Sequence, residues 1–201
     1  MKGVENPVIF DVGANVGQTS NSFRRIFPGA SICAFEPFAS CFTDLEKHTK
    51  GNNINCFKIG LSDRVESRTV EMQSNNPNFT MNSVRDIASG KTPAHLKETI
   101  MLTTADEFCR EQNISFIHVL KSDTEGHELE VLDGAKSLLS KKQISYLAIE
   151  AGISREDKGL THLDDLRGFL GNYGYHMRSI LDVAHGADGR TLYFNVIFSH
   201  E

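Results

Sequence analysis

The sequence predicts an α/β fold: a mostly parallel sheet with helices on both faces, closed by an antiparallel hairpin. Three observations carry this prediction. Short apolar runs alternate with segments of helical period along most of the 201 residues. The first run, PVIFDV, breaks into a Gly-Ala-Asn loop, as a buried strand does before a helix. The last two strand-like runs have no helix between them, only a turn around residues 186–189.

Each element follows from its own stretch. Residues 7–12 read as the first strand, and 18–27 as a helix stopped by Pro28 and Gly29. Residues 31–36 give a second strand, and 38–50 a helix on which Phe38, Phe42, Leu45 and Thr49 share a face. INCFKIGL, 54–61, reads as one strand ending in the turn-like Ser62-Asp63-Arg64. From 65 to 93 the chain is polar and rich in Asn and Ser, with alternating pieces such as RTVEMQ, which predicts an inserted hairpin or loop over the sheet edge. Residues 99–104 return to strand and 105–112 to helix. FIHVLKS, 116–122, is a strand, 125–142 a single helix with Leu129, Leu132, Ala135 and Leu139 facing the core, and 144–152 another strand. Residues 162–174 form the last helix, and 175–183 with 191–199 the closing pair. Nothing reads as a linker, so one domain is expected.

Composition narrows the function classes. Hydrophobic residues at 39% and charged residues at 23% support an ordinary core. The net charge of −5, with no block of Lys or Arg, lacks the electrostatic footprint of a nucleic-acid binder. The four cysteines, Cys33, Cys41, Cys56 and Cys109, show no CxxC spacing and read as reduced, small hydrophobes. There is no signal-like N-terminus and no apolar run of membrane-spanning length, so a soluble, cytoplasmic protein without a membrane partner is expected.

Ligands of such folds bind at the carboxyl ends of the strands, which directs attention to Asp11, Glu36, Leu61, Asp123 and Glu150. A dinucleotide fingerprint wants G-x-G-x-x-G, and a P-loop wants G-x-x-x-x-G-K-[ST]. Here Asn15 stands where the second fingerprint glycine belongs, Gln18 where the third belongs, and no lysine follows. Neither phosphate cradle is present, and the spacing conflicts with NAD. Asp11 before the turn suits a cationic ligand, and Glu36 can accept both hydroxyls of a ribose. A ribose and an ammonium without phosphate describe S-adenosylmethionine. The plainer reading is that Gly13 and Gly17 serve a tight turn and Asp11 caps the helix.

FDVGANVGQTS, CAFEPFASCFTDLEKH, GLSD, KSDTEGHELEVLDGAKSLL and YLAIEAG together resemble the FkbM family of S-adenosylmethionine-dependent methyltransferases, over about residues 8–152. The resemblance implies a class I methyltransferase (Rossmann-like) fold, with a seven-stranded sheet and a reversed last hairpin. It also implies methylation of a hydroxyl, commonly on a sugar, a glycan or another small natural product. Carried over, Asp11, Gly13, Asn15 and Gly17 form the methionine-side loop, Gln18 and Thr19 offer helix N–H groups to the cofactor carboxylate, Glu36 holds the ribose, and Leu61 and Ser62 border the adenine. One departure is Ser122, where an apolar residue is usual. Because the first strand opens so close to Met1, cover for the acceptor is expected from the 65–93 segment, from a partner subunit, as a homo-oligomer would supply, or from nothing.

Methylating a hydroxyl needs alignment and, for a weak nucleophile, a base. The motif KSDTEGHE offers Asp123, Glu125 and His127. His127 has the ordinary pKa best placed for neutral pH, about 6.5, and Asp123 is expected to shape the pocket or orient the acceptor. Rival readings stand beside these. Glu125 and Glu128 fit the first turn of a helix, Ser122 and Glu125 have capping-box spacing, and His127 fits a solvated helix position. The alternation of Asp123, Glu125 and His127 permits a divalent metal without favouring one. Glu150 is read as a substrate contact or an ordinary strand-end acid. A chain that binds S-adenosylmethionine without catalysis, as a regulatory protein, is the competing function.

Overall fold

Strand and helix alternate through the described residues, 4–71, 97–156 and 159–200 of a computed structural model. In order they are β1 (Val8–Val12), α1 (Gln18–Ile26), β2 (Ser31–Phe35), α2 (Ala39–Thr49), β3 (Ile54–Phe57), β4 (Gly60–Leu61), β5 (Glu66–Glu71) and β6 (Lys97–Thr103). There follow α3 (Ala105–Glu111), β7 (Ile117–Ser122), α4 (Glu128–Asp133), α5 (Lys136–Ser140), β8 (Ile144–Ala151), α6 (Leu163–Gly171), β9 (His176–His185) and β10 (Thr191–Ser199). No helix among them is long and apolar enough to cross a membrane.

Seven strands make the main sheet in the order β3-β2-β1-β7-β8-β10-β9. The first five run parallel, and β10 runs against both neighbours. The continuous apolar runs explain the centre: β1, β2 and β7 bury almost every side chain, as strands covered on both faces must. On one face Phe10, Phe35, Phe57 and Phe108 pack with centroids 4.8–5.6 Å apart, mostly edge to face. Phe23 and Phe27, on α1 and just after it, cover part of the other face, over Ile9 and Ile32. The edge strand β9 is exposed at every residue but Ala184.

Three expectations change. The run 54–61 is two strands in two sheets: β3 joins β2, while β4 pairs with β6 in a small sheet of order β4-β6-β5. An apolar run shows that a strand is buried, not which sheet buries it. The predicted insertion supplies β5, with Glu66 opposite Leu102 and Glu71 opposite Lys97 on β6; residues 72–93 of it lie outside the described residues. The small sheet packs Val70, Ile100 and Leu102 against Phe38 and Cys41, and the Glu98 carboxylate accepts the Ala39 N–H at 2.8 Å, capping α2.

The predicted 125–142 helix starts only at Glu128 and breaks between α4 and α5. A Cβ on Gly134 would lie 1.9 Å from the Ser62 carbonyl oxygen, so the chain passes there only as glycine. The Asp106 carboxylate then accepts the Ser137 and Leu138 N–H groups, starting α5 from a neighbouring helix. The stripe itself is kept: Leu132, Ala135 and Leu139 are wholly buried. Glu125 lies outside the helix with φ +54°, so it does not cap it as the Ser122–Glu125 spacing proposed.

Candidate active site

A cavity of about 830 Å³ opens at the carboxyl ends of β1, β2, β7 and β8, within the range of small-molecule sites. Its first wall is the turn after β1. Gly13 and Ala14 donate their N–H groups to the Phe35 carbonyl oxygen at 3.1 and 3.0 Å, and Gly17 donates to Ala14 at 2.8 Å. Gly13 has φ +74°, and a Cβ there would lie 1.9 Å from the Asp123 carbonyl oxygen. Both facts demand glycine. Asn15 (φ +50°) donates its N–H to Glu36 Oε2 at 3.0 Å, and Phe38 donates to Glu36 Oε1 at 3.0 Å. Glu36 thus holds the turn and faces the cavity, 5% exposed. Burial pushes its pKa up to about 7 despite the two N–H donors. Gln18, Thr19 and Leu61 also line the cavity, as expected of a cofactor site.

Asp11 sits behind this turn, fully buried. Its Oδ2 accepts from Ser20 Oγ at 2.5 Å, and its Oδ1 lies 3.3 Å from Lys121 Nζ. Lys121 also lies 3.3 Å from Asp123 Oδ2 and donates to the Gly13 carbonyl oxygen at 3.4 Å. Burial pulls the Lys121 pKa down, but the two carboxylates outweigh it and keep the ammonium charged. Asp11 therefore anchors the turn through Lys121 and is not on the cavity wall. Gly17 and Ser62 are likewise behind the wall.

The turn after β7 carries the second wall. Asp123, Glu125 and His127 all line the cavity, so the structure brings the three expected residues together. Glu125 and Gly126 both have positive φ, +54° and +91°. Glu128 explains how that strained turn is held. Its Oε1 accepts from the Thr124 N–H, Thr124 Oγ1 and the Gly126 N–H at 2.8, 2.9 and 3.3 Å, and its Oε2 accepts from Thr161 Oγ1. From the sequence alone Glu128 is expected only to interact with the helix dipole. The Thr124–Glu128 spacing was a usable signal, whereas Thr161 is distant in sequence.

His127 differs from the solvated helix residue that was one alternative: it is 1% exposed. Ser62 Oγ donates to Asp63 at 3.0 Å, so its bond of 3.0 Å with His127 Nε2 is one in which the ring donates. Nδ1 faces Glu130 Oε2 at 3.6 Å. Both ring nitrogens are turned toward protein groups.

Glu125 and Glu150, like Glu36, have raised pKa values. Burial, then the charges of Asp123 and Glu128, push the Glu125 pKa up to about 7. Glu150, at the end of β8 and 9% exposed, is raised further by burial and by Asp123 and Glu125, and its side chain is hydrogen-bonded to Asp123. The loop after β8 adds Glu156 and Leu160, and β10 adds Leu192 and Tyr193. No group of three or more His, Cys, Asp or Glu among the described residues is arranged to hold a metal ion.

Comparison with known proteins gives concordant results. The family described as Methyltransferase FkbM domain matches residues 11–177. Methyltransferase sdnD of Sordaria araneosa is 30% identical over 156 residues, covering 64% of this chain and 60% of its own. Hexuronic acid methyltransferase AglP of Haloferax volcanii is 26% identical, covering 76% and 60%. 2-O-methyltransferase NoeI of Sinorhizobium fredii is 24% identical, covering 70% and 62%. The chain thus matches about 60% of the length of these relatives. TrmK of M. capricolum, solved with S-adenosyl-homocysteine, superposes with a TM-score of 0.56 at 12% identity, over 98% of this chain and 63% of that one. Precorrin-6y C5,15-methyltransferase of Geobacter metallireducens gives 0.54 at 12%, over 96% and 79%. At such identities the likeness is one of fold, that of the class I methyltransferases.

Proposed function

The chain belongs to the FkbM methyltransferase domain family, and from that premise we propose that it methylates a hydroxyl of a sugar, glycan or small natural product with S-adenosylmethionine. The observation that carries the reading is Glu36: a buried carboxylate on the cavity wall, fixed by two backbone N–H groups, with lone pairs left for two ribose hydroxyls. Gly13, where a Cβ would strike the Asp123 carbonyl oxygen, lets the turns after β1 and β7 meet on the cavity wall. When bound, S-adenosylmethionine supplies the electrophilic methyl group. Gln18 and Thr19, at the start of α1, offer N–H groups to its carboxylate, and Leu61 borders its adenine.

Glu125 is the proposed base. It reaches the cavity from a turn that Glu128 holds rigid, and its raised pKa matches proton abstraction near neutral pH. His127 also lines the cavity, but its nitrogens face Ser62 and Glu130, so it instead secures the turn. Asp123, paired with Lys121, orients the acceptor. One relative supports an oxygen acceptor by its name, 2-O-methyltransferase, and another supports a sugar acceptor by its name, hexuronic acid methyltransferase. Net charge of −5 and the acid-lined cavity argue for a small molecule or glycan over nucleic acid.

The test joins calorimetry to turnover. S-adenosylhomocysteine should bind to the protein, and labelled methyl from S-adenosylmethionine should appear on a hydroxyl of a sugar or metabolite panel. Turnover should persist in EDTA, since the proton goes to a side chain. No binding of the nucleoside, or binding with transfer only to nitrogen or nucleic acid, would overturn the reading.

A further inference from the structure

β9 closes one side of the seven-stranded sheet, and among the described residues no strand lies on its outer side. Of the eleven exposed large hydrophobic side chains described, six lie on β9 and β10, and four of these, Met177, Ile180, Leu181 and Val183, are on β9 itself. Such clustering at one edge marks a contact surface, where scattered apolar residues would not. A ten-residue edge also offers unpaired N–H and C=O groups to another strand, and chains blunt it with lysine, proline or bulges. β9 has neither lysine nor proline. Its register on β10 is irregular toward both ends but regular from Ser179 to Leu181. The edge is therefore blunted at its ends and open at its centre.

The charges on β9 indicate what pairs there. Arg178 and Asp182 are exposed and stand at equal distances in sequence from Ile180. Arg178 Nε donates to Ser199 Oγ at 2.9 Å, yet neither charge is ion-paired among the described residues. When β9 meets a second β9 antiparallel, with Ile180 opposite Ile180, each Arg178 stands opposite an Asp182 and each Met177 opposite a Val183. Centring the pair on Arg178 or on Asp182 sets like charges face to face instead. The pattern is complementary to itself, as a two-fold interface requires.

We propose that β9 is the interface of a symmetric dimer, in which two copies pair antiparallel about Ile180 and their sheets become one. Opposite charges directly across a strand pair stabilise it, and the apolar side chains around them are removed from water. β10, the neighbour of β9, lines the cavity with Leu192 and Tyr193, so the second copy joins one strand away from the cavity wall.

Sedimentation equilibrium of the full chain, read beside thermal melts, tests this. The parent should have the mass of two chains. Arg178→Asp and Asp182→Lys should each weaken association about tenfold, since each sets like charges across the axis twice. The two substitutions together should recover most of that loss. Ile180→Lys, which sets two ammonium groups face to face, should give single chains with a Tm near the parent's. Asp182 has φ +51°, which lysine adopts with strain, so Asp182→Asn replaces Asp182→Lys if the latter melts early; it should partly relieve Arg178→Asp. A parent that stays a single chain at every concentration overturns the proposal, as does an open-ended series of masses. So does a dimer that Ile180→Lys and Arg178→Asp leave unchanged, or a folded double variant that associates no better than Arg178→Asp.

Discussion

Glu36 and Glu125 are both carboxyls pushed up to about 7 by burial, but they do different work. A ribose hydroxyl donates to a carboxylate better than to a neutral acid, so affinity for S-adenosylmethionine should rise as pH passes upward through 7. Glu36→Ala should weaken that affinity by about 1.5–3 kcal/mol, the range for bonds to a charged group, and flatten its pH dependence in calorimetry. Glu125→Gln should lower kcat by about 10²–10⁴-fold with cofactor affinity unchanged, and remove the rising limb of kcat near neutral pH. His127→Ala should keep that limb and instead cost about 1–3 kcal/mol of stability in urea unfolding, because Ser62 and Glu130 lose a buried partner. A His127→Ala enzyme with the limb abolished would return the base to His127. The type of each residue was legible in the sequence. The direction of the His127 ring was not, because Ser62 lies 65 positions away.

The turns after β1 and β7 are legible from the strand-end rule, the Gly-Ala-Asn loop and the KSDTEGHE motif, since a parallel strand must end before its helix begins. What escaped was anything set by a distant contact. The helix break falls at Gly134, where the Ser62 carbonyl leaves no room for a Cβ; the glycine was a local signal, but the apolar stripe of Leu132, Ala135 and Leu139 runs straight through it. Gly134→Ala should therefore destabilise the fold by about 1–3 kcal/mol, although alanine is the better helix former; a Tm equal to or above the parent's would contradict this. The run 54–61 departs from expectation for a related reason. Its residues divide between two sheets, Phe57 pairing with β2 and Leu61 with β6, although both side chains join one core, and periodicity carries no label for the sheet.

Three raised carboxyls, Glu36, Glu125 and Glu150, share one cavity, and this sets how stability follows pH. Each native pKa lies above the unfolded value, so the folded state holds more protons between the two. Stability without ligand should thus be greatest near pH 4.5–5 and fall as pH rises through 7 and beyond. Thermal melts across that range check it; a Tm that climbs from pH 5 to 8 would show that the carboxyls are not buried together. The parallel sheet and its reversed strand were readable from the order of apolar runs, while this clustering of acids arises only when β2, β7 and β8 are brought side by side. The turn at Gly13 has a further consequence. Its backbone touches the backbone of Asp123 so closely that neither can gain bulk or shift alone. Inheritance therefore has little latitude at these two turns, and on the proposed reading new acceptors are selected by change elsewhere on the cavity wall, in the loop after β8 and on β10.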